Sequence, residues 1–125
     1  MALHVLAVDD SRTIRGMLNM ALTSAGFAVT LAADGIDGLE KLASGRPDVV
    51  ISDINMPRLD GFGFIAAVRS DPGWPGLPIL VLTTESAPAL RARARELGAS
   101  GWIVKPFDEA RLVAAIRRVS GRAAA

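Results

Sequence analysis

Side chains that can bind a cation or act on a phosphoryl group stand directly after several apolar runs in this sequence. They follow four of the runs in turn: Asp9 and Asp10, Asp53, Thr83 and Thr84, and Lys105. Open α/β sheets bind their ligands outside the carboxyl ends of their strands, so chemistry is expected at these positions. Like charges about 4 Å apart repel by about 4 kcal/mol at an effective dielectric constant of about 20. A bound divalent cation would relieve that repulsion among the three carboxylates.

The donor atoms in this set favour magnesium. Oxygen ligands select hard cations, and a site with few carboxylates and room for water suits Mg²⁺ better than Ca²⁺, which takes more ligands. The glycine-rich loop with which dinucleotide folds and P-loops hold phosphates is missing after the first run, so nucleotide binding is disfavoured. An aspartate, a hydroxyl and a lysine beside Mg²⁺ are instead the groups needed for phosphoryl transfer to a carboxylate.

Each of these residues also has an ordinary structural explanation when it is taken alone. Asp9 or Ser11 could cap a helix, and Asp53 could open a turn. Lys105 could be a solvated surface lysine. The set taken together favours the chemical interpretation, because nothing structural requires three aspartates at one edge of a sheet.

Five short apolar runs alternate with segments of helical periodicity, and these elements must position the residues above. Three of the runs are continuously apolar, which is typical of parallel strands covered on both faces. The predicted strands are Leu3 to Val8, Ala28 to Ala32, Val49 to Ser52, Ile79 to Leu82, and Trp102 to Val104. The chain is too short for a closed (βα)₈ barrel, so the alternation predicts an α/β fold: a doubly wound (βα)₅ parallel sheet of five strands with helices on both faces.

Apolar residues at helical spacing place one amphipathic helix after each strand. Ser11 is the predicted N-cap of the first helix, and Gly26 and Gly98 fall just past the ends of the first and fourth. The predicted buried faces carry Ile14, Leu18, Ala21 and Leu22; Leu39 and Leu42; Phe62, Ile65 and Val68; Leu90, Ala94 and Leu97; and Leu112, Val113, Ile116 and Val119. Residues 71–78 form a loop rich in proline and glycine, where Trp74 is expected to cover an apolar patch.

The composition excludes several classes of function. The chain has 125 residues, no cysteine and one histidine, which excludes disulfides and cysteine-ligated zinc and argues against a Ser/His/Asp triad. A net charge of +1 gives no general affinity for nucleic acid or for a membrane. The length predicts a single domain, and we expect it to act as a monomer. No secretory signal or membrane-spanning segment is apparent, so we expect a cytoplasmic protein.

The ordered set of polar motifs resembles the receiver domain of two-component response regulators. The resemblance covers almost the whole chain, and the order of the motifs is more specific than any one of them. They are Asp9-Asp10, Asp53 with Asn55-Met56-Pro57, Asp60-Gly61, Thr83-Thr84-Glu85, and Lys105-Pro106-Phe107. The resemblance implies a flavodoxin-like sheet with strand order 2-1-3-4-5 and a stand-alone receiver similar to the chemotaxis protein CheY.

The resemblance also implies a role for each matching residue. Asp53 corresponds to the phosphoacceptor, and Asp9 and Asp10 to the acidic pair that binds Mg²⁺ together with Asp53. The backbone carbonyl of Asn55 would be a further metal ligand. Thr83 resembles the hydroxyl that engages the phosphoryl group, and Lys105 the lysine that pairs with it, with the Lys105–Pro106 bond in the cis form.

Two positions depart from the usual pattern of the family. Trp102 stands where the family's switch aromatic is usually tyrosine or phenylalanine. Two interpretations of Trp102 are therefore open: a residue that switches position, or an aromatic fixed in the core. Thr84 is bulkier than the alanine or glycine often found at its position and could narrow access to Asp53. By resemblance, the side chains of Asn55 and Glu85 tune hydrolysis of the phosphoryl group by orienting or repelling water.

The function implied by the resemblance is that of a phosphorylation-activated signalling switch, not of a conventional enzyme. Asp53 would accept a phosphoryl group from a sensor histidine kinase or phosphotransfer protein with Mg²⁺ as cofactor, and the domain would catalyse its own phosphorylation and dephosphorylation. The output would be altered binding to a protein such as a flagellar switch component, in chemotaxis. The responsive surface would carry arginines of the last two helices: Arg91, Arg93, Arg95, Arg111, Arg117 and Arg118.

Several alternatives stay open. The domain could be a phosphorelay shuttle or a kinase-feedback receiver, a Mg²⁺-dependent phosphohydrolase with Asp53 as nucleophile, or a pseudo-receiver that binds partners without phosphorylation. Turnover of small phosphomonoesters would reveal the hydrolase, and failure to bind Mg²⁺ would support the pseudo-receiver. The expected organisation is one receiver domain at residues 1–121 with a short tail at 122–125 and no DNA-binding module.

Overall fold

The structure is a computed structural model that describes residues 2–121, so the predicted tail at 122–125 lies outside the described residues. Strands and helices alternate five times along the chain. In order they are β1 (His4–Val8), α1 (Arg12–Ser24), β2 (Ala28–Ala32), α2 (Gly35–Gly45), β3 (Val49–Ser52), α3 (Gly61–Ser70), β4 (Ile79–Thr83), α4 (Pro88–Leu97), β5 (Gly101–Val104) and α5 (Glu109–Val119). None of these helices has the length and apolarity needed to cross a membrane.

The five strands form one parallel sheet in the order β2-β1-β3-β4-β5. Val8 at the end of β1 pairs with Ala32 on one side and with Ser52 on the other, so β1 and β3 end at the same edge. Thr83 of β4 pairs with Val104 of β5 at that edge. The doubly wound α/β fold predicted from the alternation of strands and helices is therefore confirmed, and so is the flavodoxin-like strand order that the resemblance implied.

Two apolar layers cover the sheet, which explains why the central strands are continuously apolar. Val5 and Ala7 of β1 face one layer with residues of α1 and α5, whereas Leu6 and Val8 face the other with residues of α2, α3 and α4. Every residue of β3 and β4 is buried. Removal of this apolar surface from water on both faces, at about 25 cal/mol per Å², stabilises the sheet that carries the site residues at its edge.

The predicted helix signals agree with the structure. The hydroxyl of Ser11 accepts a hydrogen bond from the Ile14 N–H at 3.2 Å, as an N-cap does. Gly26 and Gly98 adopt φ values of +93° and +112°, a left-handed conformation that favours glycine. Leu18, Leu22, Phe62, Ile65, Val68, Ala94, Leu112 and Ile116 from the predicted buried faces are buried.

Element boundaries differ from the predictions by one residue at three places. β1 begins at His4 and not at Leu3, β4 continues to Thr83, and β5 begins at Gly101. Backbone pairing with neighbouring strands sets these limits, and the apolar pattern does not report that pairing. Trp74 is half-buried against the core, as predicted, and the Arg46 guanidinium lies 4.7 Å from its ring centroid.

Candidate functional site

Three carboxylates meet where β1 and β3 end. Asp9 and Asp10 follow β1, Asp53 follows β3, and each offers an oxygen within 4.8 Å of the other two. Asp9 and Asp53 are buried, with relative exposures of 1% and 7%, and Asp10 is exposed. The parallel register of β1 and β3 brings these side chains together, because both strands end at one edge.

Lys105 supplies a cation between the two buried carboxylates. Its Nζ donates a hydrogen bond to Oδ2 of Asp9 at 2.7 Å and another to Oδ2 of Asp53 at 2.8 Å. Burial alone would lower the pKa of Lys105, but the hydrogen bonds to Asp53 and Asp9 outweigh it and hold that pKa above its ordinary value. The lysine therefore stays charged and offsets part of the repulsion between the carboxylates.

Backbone amides hold each buried carboxylate in a fixed orientation. Oδ1 of Asp9 accepts a hydrogen bond from the Ser11 N–H at 2.9 Å, and Oδ1 of Asp53 accepts one from the Ile54 N–H at 2.6 Å. Burial raises the pKa of Asp9, although the hydrogen bond from Lys105 acts in the opposite direction. Both carboxylates thus present Oδ2 to the lysine and keep Oδ1 bonded to the loop behind them.

Thr83 and Trp102 are joined through the backbone of Glu85. The Thr83 hydroxyl is fully buried and accepts a hydrogen bond from the Glu85 N–H at 3.3 Å. The Trp102 indole N–H donates to the Glu85 carbonyl at 3.1 Å. Thr84, which lies between Thr83 and Glu85 in the loop after β4, is exposed. The structure therefore links the predicted hydroxyl and the predicted switch aromatic, although the roles themselves stay predictions.

The loop between β3 and α3 carries Asn55, which is exposed. The loop is closed at its base by a 2.8 Å hydrogen bond from the Gly61 N–H to the Ile54 carbonyl. A Cβ at Gly61 would overlap the carbonyl oxygen of Asp53, so only glycine fits there. The Lys105–Pro106 peptide bond, which follows β5, is cis, as the resemblance implied.

Arg58 lies in this loop and is bonded to Asp34, the N-cap of α2; neither residue is among those predicted above. Arg58 Nε lies 2.8 Å from Asp34 Oδ2, and Arg58 Nη2 lies 3.1 Å from Asp34 Oδ1. An acidic residue just before the glycine that begins α2 is an N-cap signal that could have identified Asp34. Nothing in the sequence pairs it with an arginine 24 residues away.

The six arginines predicted to share one surface divide into two groups. The guanidinium of Arg93 lies 4.1 Å from the ring centroid of Phe62 on α3, and that of Arg117 lies 5.1 Å from the ring of Phe27. These two therefore pack on other elements. The remaining arginines line two clefts beside Trp102, of about 320 and 520 Å³: Arg91 and Arg95 in the first, Arg111 and Arg118 in the second.

The carboxylate cluster fits a magnesium ion. Its donors are oxygens alone, which matches the preference of a hard cation, and no histidine or cysteine joins the cluster. Asp10 stands on the solvent side, where Mg²⁺ could keep several of its water ligands. Its side chain makes no ion pair or hydrogen bond with the residues described, in contrast to those of Asp9 and Asp53.

Sequence comparisons place the chain among signalling proteins. The model of the response regulator receiver domain matches residues 5–117. The chain is 42% identical to a probable chemotaxis protein CheY of Rhizobium etli over 95% of this chain and 93% of that protein. It is 39% identical to the response regulator MprA of Mycobacterium ulcerans over 98% of this chain, and it spans 52% of that relative's length.

Solved structures of proteins from the same family resemble this chain closely. The chemotaxis protein CheY4 of Vibrio cholerae matches with a TM-score of 0.91 and 45% identity, over 95% of this chain and 99% of that one. The receiver domain of the sensor histidine kinase PA1611 of Pseudomonas aeruginosa matches with a TM-score of 0.89 and 28% identity, over 97% of this chain and 99% of that one. That structure holds a magnesium ion in its active-site cleft. On the extent of the family match and these identities, the chain belongs to the response regulator receiver domains of two-component signalling.

Proposed function

We propose that the protein is a switch in which Asp53 accepts a phosphoryl group from a phosphohistidine of a sensor histidine kinase or phosphotransfer protein. The observation that carries this proposal is the shared contact of Lys105 Nζ with Asp9 and Asp53, at 2.7 and 2.8 Å. A cation placed there can pair with a phosphoryl group on Asp53 as readily as with the free carboxylates. A purely structural role would not explain this cluster, because apolar residues of similar volume often stabilise a fold as well as a buried ion pair does.

Asp9, Asp10 and Asp53 would hold Mg²⁺ together with the backbone carbonyl of Asn55. When bound, Mg²⁺ neutralises charge on the phosphoryl oxygens and helps to align the reacting groups. The oxygen-only donor set and the exposed position of Asp10 support this assignment. The proposal does not require any other cofactor.

The residues of this chain then perform the transfer by positioning. A carboxylate oxygen of Asp53 attacks phosphorus in line with the phosphohistidine, the P–N bond breaks, and its electron pair returns to the imidazole of the donor. Lys105 pairs with the transferred phosphoryl group through the Nζ that now bonds Asp53. Thr83 already accepts a hydrogen bond from the Glu85 N–H, so its hydroxyl proton is free to be donated to a phosphoryl oxygen.

The signal would leave the site through Thr83, the backbone of Glu85 and Trp102. A phosphoryl group adds a charge of about −1.5 to −2, which would draw the Thr83 hydroxyl inward and displace the loop after β4. Because the Trp102 indole is hydrogen-bonded to that loop, its position depends on the loop. The clefts on either side of Trp102, lined by Arg91 and Arg111 among others, would change shape and alter binding to an output protein.

Chemotaxis is the proposed setting, with an output protein such as a flagellar switch component. The similarity to a probable CheY of Rhizobium etli and to CheY4 of Vibrio cholerae supports it. A phosphorelay or kinase-feedback role is the second candidate, supported by the similarity to the receiver domain of a sensor histidine kinase. We propose a cytoplasmic monomer, with Asn55 and Glu85 tuning hydrolysis of the phosphoryl group.

Phosphotransfer from a radiolabelled phosphohistidine protein tests the proposal. With Mg²⁺ present, we expect the label to move to this chain, with at most one phosphoryl group per protein molecule. Chelation of Mg²⁺ should prevent the transfer. Asp53→Asn should take no label. Many turnovers on a small phosphomonoester would identify a hydrolase instead, and absence of both transfer and Mg²⁺ binding would identify a pseudo-receiver.

A further inference from the structure

We propose that Asp34 and Arg58 are a positioning pair that holds the loop between β3 and α3 in the conformation needed for metal binding. The inference rests on the proposed function, because the loop matters only if the carbonyl of Asn55 binds Mg²⁺. Arg58 Nε and Nη2 donate to the two oxygens of Asp34 at 2.8 and 3.1 Å. Such two-point pairing of a guanidinium with a carboxylate fixes direction as well as distance.

Asp34 is a rigid anchor for this contact. It is buried, with a relative exposure of 7%, and as the N-cap of α2 it also accepts a hydrogen bond from the Asp37 N–H at 2.9 Å. The hydrogen bond from Arg58, followed by that from the Asp37 amide, lowers the pKa of Asp34 below its ordinary value. The carboxylate is therefore ionised at neutral pH, and the Asp37 N–H holds one of its oxygens independently of Arg58.

A second contact ties the same part of the loop to α2. The Gly35 N–H donates a 3.1 Å hydrogen bond to the Leu59 carbonyl, so two consecutive residues of the loop are bonded to the start of α2. A Cβ at Gly35 would overlap that carbonyl, which shows how closely the two backbones approach. Both contacts restrain this part of the loop, so the loss of either one loosens it.

Arg58 holds the contact at some conformational cost. Its φ is +64°, in the left-handed region where asparagine or glycine is the usual residue. Its side chain is 57% exposed, so burial of apolar surface does not explain the choice of residue. The bidentate pairing with Asp34 is the interaction that an arginine at this position adds.

The pair acts on the stretch of loop that contains Asn55. On one side of Asn55, the Asp53 N–H donates to the Val8 carbonyl at 3.0 Å. On the other side, the next bonds to another element are those of Arg58 and Leu59. Among the residues that the structure describes, no side-chain hydrogen bond reaches residues 55–57, and Met56 is held by packing against the core. Loosening Arg58 would therefore let the carbonyl of Asn55 shift. Support of this kind behind a metal ligand commonly changes metal affinity by about 10- to 100-fold.

Mg²⁺ titration by calorimetry, with no phosphodonor present, tests the inference. The variants are Arg58→Asn, which suits the left-handed backbone but cannot reach Asp34, and Asp34→Asn, which keeps an N-cap but loses the charge. Lys41→Gln is the matched control, because Lys41 pairs with Asp37 on the same helix at 3.4 Å. Both test variants should bind Mg²⁺ about tenfold more weakly, and the control should match the wild type.

The sign of the change separates positioning from simple electrostatics. Removal of the positive charge of Arg58 would by itself strengthen the binding of a cation, so weaker binding by Arg58→Asn has to come from the loop. The double variant should bind no more weakly than either single variant, because the two residues act as one unit. Arg58→Lys keeps the charge without the two-point geometry and should recover only part of the affinity.

The outcomes distinguish this inference from the proposed function. Wild-type affinity in folded Arg58→Asn would overturn the positioning role and leave the proposed function intact. Failure of the wild-type protein to bind Mg²⁺ would overturn both. Arg58 is mostly exposed, so its variant decides the question even if Asp34→Asn does not fold.

Discussion

The Trp102 indole N–H donates a hydrogen bond of 3.1 Å to the backbone carbonyl of Glu85. This contact joins β5, at the edge of the sheet, to the loop that follows β4. The amide of the same Glu85 donates to the buried hydroxyl of Thr83. The position of the indole is therefore coupled to the candidate site through one residue's backbone.

Trp102 fluorescence should report on the state of the site. Trp74→Phe removes the other tryptophan, which lies in the loop between α3 and β4 beside Arg46. In that variant, Mg²⁺ with acetyl phosphate should change the emission of Trp102, because displacement of Glu85 alters the partner of the indole N–H. The same variant carrying Asp53→Asn is the control and should not respond to the donor. An emission spectrum that does not change on phosphorylation would show that Trp102 is a fixed core aromatic.

Lys105→Met should destabilise the protein at neutral pH when Mg²⁺ is absent. The substitution leaves Asp9 and Asp53 without their shared cation, and removing one partner of a buried pair costs about 3–5 kcal/mol. Urea unfolding measures the loss, and added Mg²⁺ should recover more stability in this variant than in the wild type. Equal stability of the two proteins without Mg²⁺ would show that the ion pairs contribute little.

Asp10→Asn should have the opposite effect on stability. Asp10 has no cation partner among the described residues and lies within 4.8 Å of the other two carboxylates, so its charge adds repulsion. Because Asp10 is exposed, neutralising it should raise the free energy of unfolding by about 1 kcal/mol without Mg²⁺. Mg²⁺ affinity should fall at the same time. Thermal melts with and without Mg²⁺ check both effects, and an unchanged Mg²⁺-dependent rise in Tm would place the metal elsewhere.

The contribution of Asp34 to stability should depend on pH. The pKa of Asp34 in the folded protein is lowered, chiefly by the hydrogen bond from Arg58. The stabilisation that Asp34 contributes is therefore fully present above the unfolded-state pKa of about 4. It is lost as the pH falls through the folded-state pKa. Asp34→Asn should therefore be less stable than the wild type at pH 7, and the difference should shrink below about pH 4. Urea unfolding of both proteins across this range provides the measurement. A difference that does not change with pH would mean that the ion pair does not stabilise the fold.

The carboxylates and the lysine could be located from the sequence because parallel strands end at a common edge. Knowing that Asp9, Asp53 and Lys105 each follow an apolar run was enough to place them together. The Asp34 and Arg58 pair could not be found in this way, since each lies in a loop whose path depends on tertiary packing. Helical periodicity predicted which faces of the helices are buried. It could not predict which aromatic ring an exposed arginine such as Arg93 packs against.

The central claim is that Asp53 is the phosphoacceptor, and its most direct test is to map the phosphoryl group. The protein is incubated with acetyl phosphate and Mg²⁺, and the adduct is located by mass spectrometry of its peptides. We expect one phosphoryl group per chain, on Asp53. It should not form when Mg²⁺ is chelated before the donor is added, and it should be absent from Asp53→Asn. A phosphoryl group present at full level in Asp53→Asn, or mapped to another residue of the wild type, would contradict the proposed function.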